Sequence, residues 1–260
     1  PISIFDQVQK VTDGDYALVH LFESNPIYFK MFADAVNSGR EVILDNSLFE
    51  LGKSFDPEKY VGWIRALQPT WYILPDVLND GKTTTDSAYS FLEKYAGKIP
   101  STSKPMGVIQ GKNLIDWVDC YSGMTSICDK VGISVLTGFL TSIGNTARER
   151  YKLLATGRPA LLRLMYNSGV IDCNISHHLL GVTMASELQQ YRDMPWVNSV
   201  DTSSPVIDGI FSNDWTHGTL KIPTMVSSII DWDVTDRWPQ IKDNITSFRR
   251  IANGDDYPIS

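Results

Sequence analysis

Short apolar runs alternate along the chain with segments whose apolar residues recur at helical spacing. "YALVHLF" (16–22) predicts a strand, and "PIYFKMFADAVNSG" (26–39) a helix with apolar residues at helical spacing at Phe29, Phe32, Ala33 and Val36 and Gly39 closing it. "EVILDN" (41–46) predicts the next strand. "DPEKYVGWIRALQ" (56–68) predicts a helix capped by Asp56, with Pro57 in its first turn and Tyr60, Ile64 and Leu67 on its apolar face. "WYILPD" (71–76) is a third strand, followed by a helix near 83–97. "MGVIQG" (106–111) is a fourth strand, followed by "NLIDWVDCYSGM", and "KVGISVL" (130–136) a fifth. The stretch 143–170 predicts two helices joined at "GRP". "HHLLGVT" (177–183) and "WVNSVDTS" (196–203) predict strands six and seven, separated by "ASELQQYRDM", and "GTLKIP" (218–223) an eighth.

Apolar strands that each feed a helix indicate a parallel sheet covered on both faces. Seven or eight such units in 260 residues fit an α/β chain of the (β/α)8 TIM-barrel type, a single domain over residues 1–260. An open doubly wound sheet competes, but no G-x-G-x-x-G follows the first strand, which weakens a dinucleotide-binding assignment.

With 43% hydrophobic residues the chain can bury a large core, and with 20% charged residues it is not a disordered segment. The net charge of −7 excludes a uniformly basic nucleic-acid binder but not a local basic patch. Cys120, Cys128 and Cys173 are too few and too scattered for a disulfide framework or a zinc cluster, so they are expected to be buried and inert in a reducing, cytoplasmic setting. "PISIFDQVQK" lacks the layout of a signal peptide, and Pro1 is expected to follow a removed initiator Met. No apolar run reaches the length of a membrane span.

In a barrel, catalytic groups stand at the C-terminal ends of strands. Asp45, Asp76, Gln110 and Asp201 each end a predicted strand, the second, third, fourth and seventh. Any one of these carboxylates is equally well a turn or helix cap; Asp56, Asp80 and Asp86 show how common non-catalytic Asp is in this chain. Four together suggest a single mouth. Two facing carboxylates about 5 Å apart suit retaining chemistry at a sugar carbon, one as nucleophile and one as proton carrier. Asp76 and Gln110 can accept from and donate to the edge of a purine-like ring, and Phe49 offers a stacking face.

These residues resemble the tRNA-guanine transglycosylases. The family's D-S-G-G-[FY]-Q resembles "DNSLF" (45–49), its V-Q-G "VIQG" (108–111), its G-L-[AS]-V-G "GISVLTG" (132–138), its L-M-G-V-G "LLGVT" (179–183), and its nucleophile segment "VNSVDTSSP" (197–205). Order and spacing match over roughly residues 15–210. The resemblance implies a (β/α)8 barrel that swaps guanine for a 7-deazaguanine through a covalent Asp–ribose intermediate, without a cofactor. It makes Asp201 the nucleophile and Asp45 the general acid/base. Asp76, Gln110 and the backbone at Gly132 would hold the base, with Phe49 over one ring face and Leu180, where the family usually has Met, over the other.

The chain departs from the family in several places. It lacks the C-x-C-x-x-C zinc cluster, so no metal site is implied. Ser47 and Leu48 replace the glycine pair, and "TSSP" follows Asp201 in place of x-P-T-R. These features look closer to the phage-type branch that inserts 7-deazaguanines of the preQ0 kind into DNA, which would place the protein in the host cytoplasm. The same exchange on tRNA, a glycoside hydrolase using Asp45 and Asp201, and an inactive nucleic-acid-binding barrel stay open. The resemblance also allows a homodimer.

A polynucleotide substrate needs cationic contacts. "ARERYKLLATGRPALLR" (147–163) carries Arg148, Arg150, Lys152, Arg158 and Arg163 against Glu149 and is the candidate phosphate-binding face; the alternative is an ordinary solvated helix. Lys112 and Lys221 would add contacts at the mouth. Arg249 and Arg250 are expected at the surface. Trp63, Trp71, Trp117 and Trp196 are expected as core or helix-packing residues, and His20 as a structural histidine. The target base would have to be flipped out of a duplex or lie in a single strand.

Overall fold

A computed structural model describes residues 1–135, 137–141, 147–182, 184–217 and 228–255, with the side chains of 141, 147, 148, 150, 151, 154 and 155 excepted. The chain forms two compact units, Thr12–Ser134 in one, Pro1–Val11 with Val135–Ser260 in the other. It is a mixed α/β chain. Seven strands are described, all parallel and following one another in chain order. The eighth expected strand, 218–223, and Lys221 lie outside the described residues.

The Thr12–Ser134 unit contains β1 (Gly14–Leu18), α2 (Val19–Ser24), α3 (Pro26–Asn37), β2 (Glu41–Asp45), α4 (Leu48–Leu51), α5 (Pro57–Leu67), β3 (Trp71–Ile73), α6 (Gly81–Tyr95), β4 (Lys104–Ile109), α7 (Leu114–Thr125) and β5 (Lys130–Ser134); α1 (Phe5–Gln9) precedes them in the other unit. Val42, Leu44, Ile73, Met106, Ile109, Val131 and Ile133 are buried on both faces of the strands, which is why these runs are apolar without alternation. The helices are capped as their sequences dictate: Asn25, Asp56, Asp80 and Asn113 each accept a backbone N–H three residues on. Ile64, on the predicted face of α5, is fully buried, a burial worth about 2 kcal/mol. Tyr60, on the same face, donates its hydroxyl to the carbonyls of Leu44 and Ile73 and so ties α5 to two strands.

One apolar run departs from the expected strand. "YALVHLF" is a strand only to Leu18; from Val19 the chain turns into helix α2, with Val19, Leu21 and Phe22 buried. A fully apolar run carries no period that separates strand from helix, and packing of Phe22 against Tyr28, Phe32 and Trp63 decides.

The other unit holds α8 (Gly138–Thr141), α9 (Ala147–Asn167), β6 (Ser176–Leu180), α10 (Ala185–Leu188), β7 (Val197–Val200), α11 (Ser204–Ile210) and α12 (Trp238–Ala252). α9 corrects the expected helix pair: one helix runs through Gly157 and Pro159, anchored by buried Leu161, Leu162 and Met165. Ile4, Ile207, Ile210, Ile229, Val234, Ile241 and Ile245 form a core between α11 and α12. The helices approach so closely that a Cβ on Gly209 would meet the backbone of Ile241 at 2.7 Å.

Trp117 and Trp196 are buried, as expected of core tryptophans, and so are Cys120 and Cys128. Cys173 is exposed, because it sits in the loop between α9 and β6 where nothing packs over it, so the expectation of three buried thiols fails there. No helix among the described residues is long and apolar enough to cross a membrane.

Candidate active site

Parallel strands point every C-terminal end the same way, so β2, β3 and β4 deliver Asp45, Asp76 and Gln110 to one edge of the Thr12–Ser134 unit. Asp45 is the last residue of β2. The Tyr16 hydroxyl from β1 donates to its Oδ2, and the Ser47 N–H donates to its Oδ1 at 2.5 Å. Burial pushes the Asp45 carboxyl up to about 7; the Tyr16 hydrogen bond opposes this and the nearby charge of Glu50 adds to it. A carboxyl that titrates near neutrality can both give and take a proton under ordinary conditions.

Ser47 occupies the first position of the resembled glycine pair, and it takes the left-handed conformation that glycine favours (φ 59°). The strain is offset locally. Ser47 is buried, and its hydroxyl oxygen accepts from the backbone N–H of His20 at 3.3 Å and lies 2.8 Å from His20 Nδ1. Burial lowers the pKa of that imidazole. His20 is thus tied to the turn that follows Asp45.

Asp76 is buried, and both carboxylate oxygens are occupied. Asn46 Nδ2 donates to Oδ1 at 2.8 Å, and Gln110 Nε2 to Oδ2 at 2.9 Å. Burial raises the pKa of this carboxyl against the pull of the two donors. Gln110 Oε1 in turn accepts from Asn79 N–H at 3.1 Å, and the Asp76 N–H donates to Ser54 Oγ at 3.1 Å. Gly111 follows Gln110 because α7 passes directly over it: a Cβ there would meet Trp117 N and Cα at 2.7 Å. Phe49 stands on α4, 49% exposed. Gly132 lies inside β5, buried and in register with Val108, two residues before the strand ends.

The other unit holds Asp201, directly after β7. Its Oδ1 lies 3.1 Å from His178 Nε2 and accepts the Gly181 N–H at 3.1 Å. Leu180, half-buried, ends the neighbouring strand β6, and its carbonyl accepts from Val135 N–H and from Arg158 Nη1.

That last contact corrects the assignment of Arg158 to a phosphate-binding face. Arg158 is wholly buried. Nε and Nη2 bond Glu187 Oε1, Nε also reaches the Tyr191 hydroxyl, and Nη1 and Nη2 bond the carbonyls of Leu180 and Gly181. Glu187 cancels its charge, so nothing is left for a phosphate. Arg163 is partly exposed but held by Asp193 at 2.9 Å and by the Gln190 carbonyl. Lys152 and Lys112 are exposed; the side chains of Arg148 and Arg150 lie outside the described residues.

The sequence assigns no role at the site to Asn46, Ser54, Asn79, Tyr16 or His178, and marks Ser47 only as a replacement of the resembled glycine pair. Asn46 had a signal, being a second polar residue at the end of an apolar strand; the others had none without a partner in space. No protein-family model matches the chain, and no curated protein matches it.

Proposed function

We propose that the chain is a (β/α)8-barrel transglycosylase that replaces guanine in DNA with a 7-deazaguanine of the preQ0 type. In this reading Asp201 attacks C1′ of the deoxyribose, and the C1′–N9 bond breaks with its electron pair leaving on the guanine. Asp45 supplies the proton that the departing base takes up and receives one back when the incoming base attacks C1′ and releases Asp201. Asp76 and Gln110 bind the base edge by exchanging their mutual hydrogen bond for bonds to the ring, with Phe49 and Leu180 at its faces and the Gly132 backbone as a further contact. Lys152, Lys112 and the basic residues Arg148, Arg150 and Arg163 contribute to phosphate binding.

The observation that carries the reading is the cluster at the ends of β2, β3 and β4. A carboxyl titrating near neutrality stands one residue from Asn46, which bridges to a buried carboxylate–amide pair suited to a purine-like edge. The ordered motif resemblance, the missing cysteine cluster and the replacement of x-P-T-R by "TSSP" favour DNA over tRNA.

The test is incorporation of labelled guanine or preQ0 into DNA, with tRNA as the parallel substrate. DNA labelling by the wild type, absent in Asp201→Ala, is the expected result. Labelling of tRNA alone moves the substrate; labelling of neither, with a glycoside cleaved instead, replaces the reading by hydrolysis.

A further inference from the structure

His178 lies in the middle of β6, 2% exposed, and none of the roles above uses it. Across the ladder its partner on β7 is Ser199. Ser199 and Asp201 are two residues apart and so face the same side. The imidazole bridges them: Nδ1 lies 2.8 Å from Ser199 Oγ, and Nε2 lies 3.1 Å from Asp201 Oδ1.

The protons of this bridge follow from the chemistry of the three groups. An ionised carboxylate only accepts, so Nε2 carries the hydrogen. A neutral imidazole has one N–H, so Nδ1 is the acceptor and Ser199 donates to it. The Gly181 N–H donates to Oδ1 as well. Among the described residues nothing donates to Oδ2, and the Asp201 side chain is 24% exposed. One oxygen is therefore pinned by two donors, while the other accepts from none of the described residues.

We propose that His178, held as its Nε2–H tautomer by Ser199, is a positioning residue that fixes Asp201 so that Oδ2 is the attacking oxygen. This rests on the reading of Asp201 as the nucleophile. When Oδ2 bonds to C1′ and the C1′–N9 pair leaves with the base, Oδ1 becomes the carbonyl oxygen of the ester and keeps both donors. When the incoming base attacks C1′, the Oδ2–C1′ pair returns to the carboxylate, whose charge the same two donors stabilise.

Two measurements test it. The first is the 15N spectrum of histidine-labelled wild-type protein: the neutral His178 ring should be protonated at Nε2 and bare at Nδ1, and an Nδ1–H ring overturns the proposal. The second is the rate at which the covalent protein–DNA adduct forms, read on denaturing gels, with KM for DNA measured alongside. His178→Asn keeps an amide near Ser199 but does not reach Asp201; His178→Gln reaches Asp201. The expected result is a fall on the order of 100-fold in adduct formation for His178→Asn with KM nearly unchanged, and recovery of most of the rate in His178→Gln. An unchanged rate in His178→Asn, or equal losses in both variants, overturns the role of His178 while leaving Asp201 as nucleophile. A wild-type protein that forms no adduct with any polynucleotide overturns the reading of Asp201 itself, and this role with it.

Discussion

Gln110 Nε2 donates to Oδ2 of Asp76 at 2.9 Å while Asn46 Nδ2 donates to Oδ1, so a buried carboxylate is matched by two amide donors from the strand ends on either side of β3. The pairing depends on Asp76 being an acceptor at both oxygens. Asp76→Asn would turn one acceptor into a donor facing another donor. The expected cost is about 1–3 kcal/mol in urea unfolding, because a buried amide N–H is left unpaired. Base exchange should fall in the same variant through a raised KM for the free base.

Asp45 gives a pH signature. Its carboxyl is held up to about 7 in the folded chain by burial, against about 3.9 when unfolded. Between those values the folded state keeps a proton that the unfolded chain releases, so this group's contribution to stability falls as pH rises from about 4 to about 7 and is level above. Asp45→Asn removes the effect. The difference in unfolding free energy between Asp45→Asn and wild type, read from urea titrations, should grow in favour of the variant across that window, by up to about 4 kcal/mol, and then stay constant. A difference independent of pH would show that Asp45 titrates like an exposed carboxyl.

Arg158 and Glu187 are a buried pair, and removing either partner strands the other. Arg158→Met should destabilise by about 3–5 kcal/mol, and the double variant Arg158→Met with Glu187→Leu should recover much of it. Arg158 should make no contribution to the salt dependence of DNA binding. Lys152→Ala, which removes an exposed cation, should instead lower the slope of log affinity against log salt by about one.

Two glycines separate space from conformation. Gly111→Ala forces a Cβ into the backbone of Trp117, which cannot yield, so a loss of about 2 kcal/mol or more is expected, with the Gln110–Asp76 bond disturbed. Gly62, in the exposed interior of α5, has open space around it. Gly62→Ala should stabilise by about 0.5–1 kcal/mol through helix propensity. Thermal melts of the two variants should move in opposite directions.

Much of this architecture is legible along the chain. The succession of apolar strands and capped helices, the parallel order it implies, and the polar residues that end β2, β4 and β7 are local signals, set by side-chain period and by caps within three residues of their partners. Asp56 is read as a cap on those grounds, and it is one in the structure; Asp80 caps α6 as well, which the sequence reading leaves unassigned. The helix from Val19 and the unbroken α9 are not legible, because an apolar run and a Gly-x-Pro sequence are each compatible with two conformations that packing alone separates.

The sequence by itself determined most of the strands, the capped helices and the polar residues that terminate the strands, because periodicity and capping act over a few residues. Only the tertiary structure decided what each of those polar groups does. Arg158 meets Glu187 29 positions away, Asp201 meets His178 23 away, and Ser47 rests on His20 27 away. A charge is a phosphate ligand or a buried strut according to whether an opposite charge and a set of carbonyls converge on it. That convergence is a property of neighbouring strands and helices brought together in space, which no local pattern encodes.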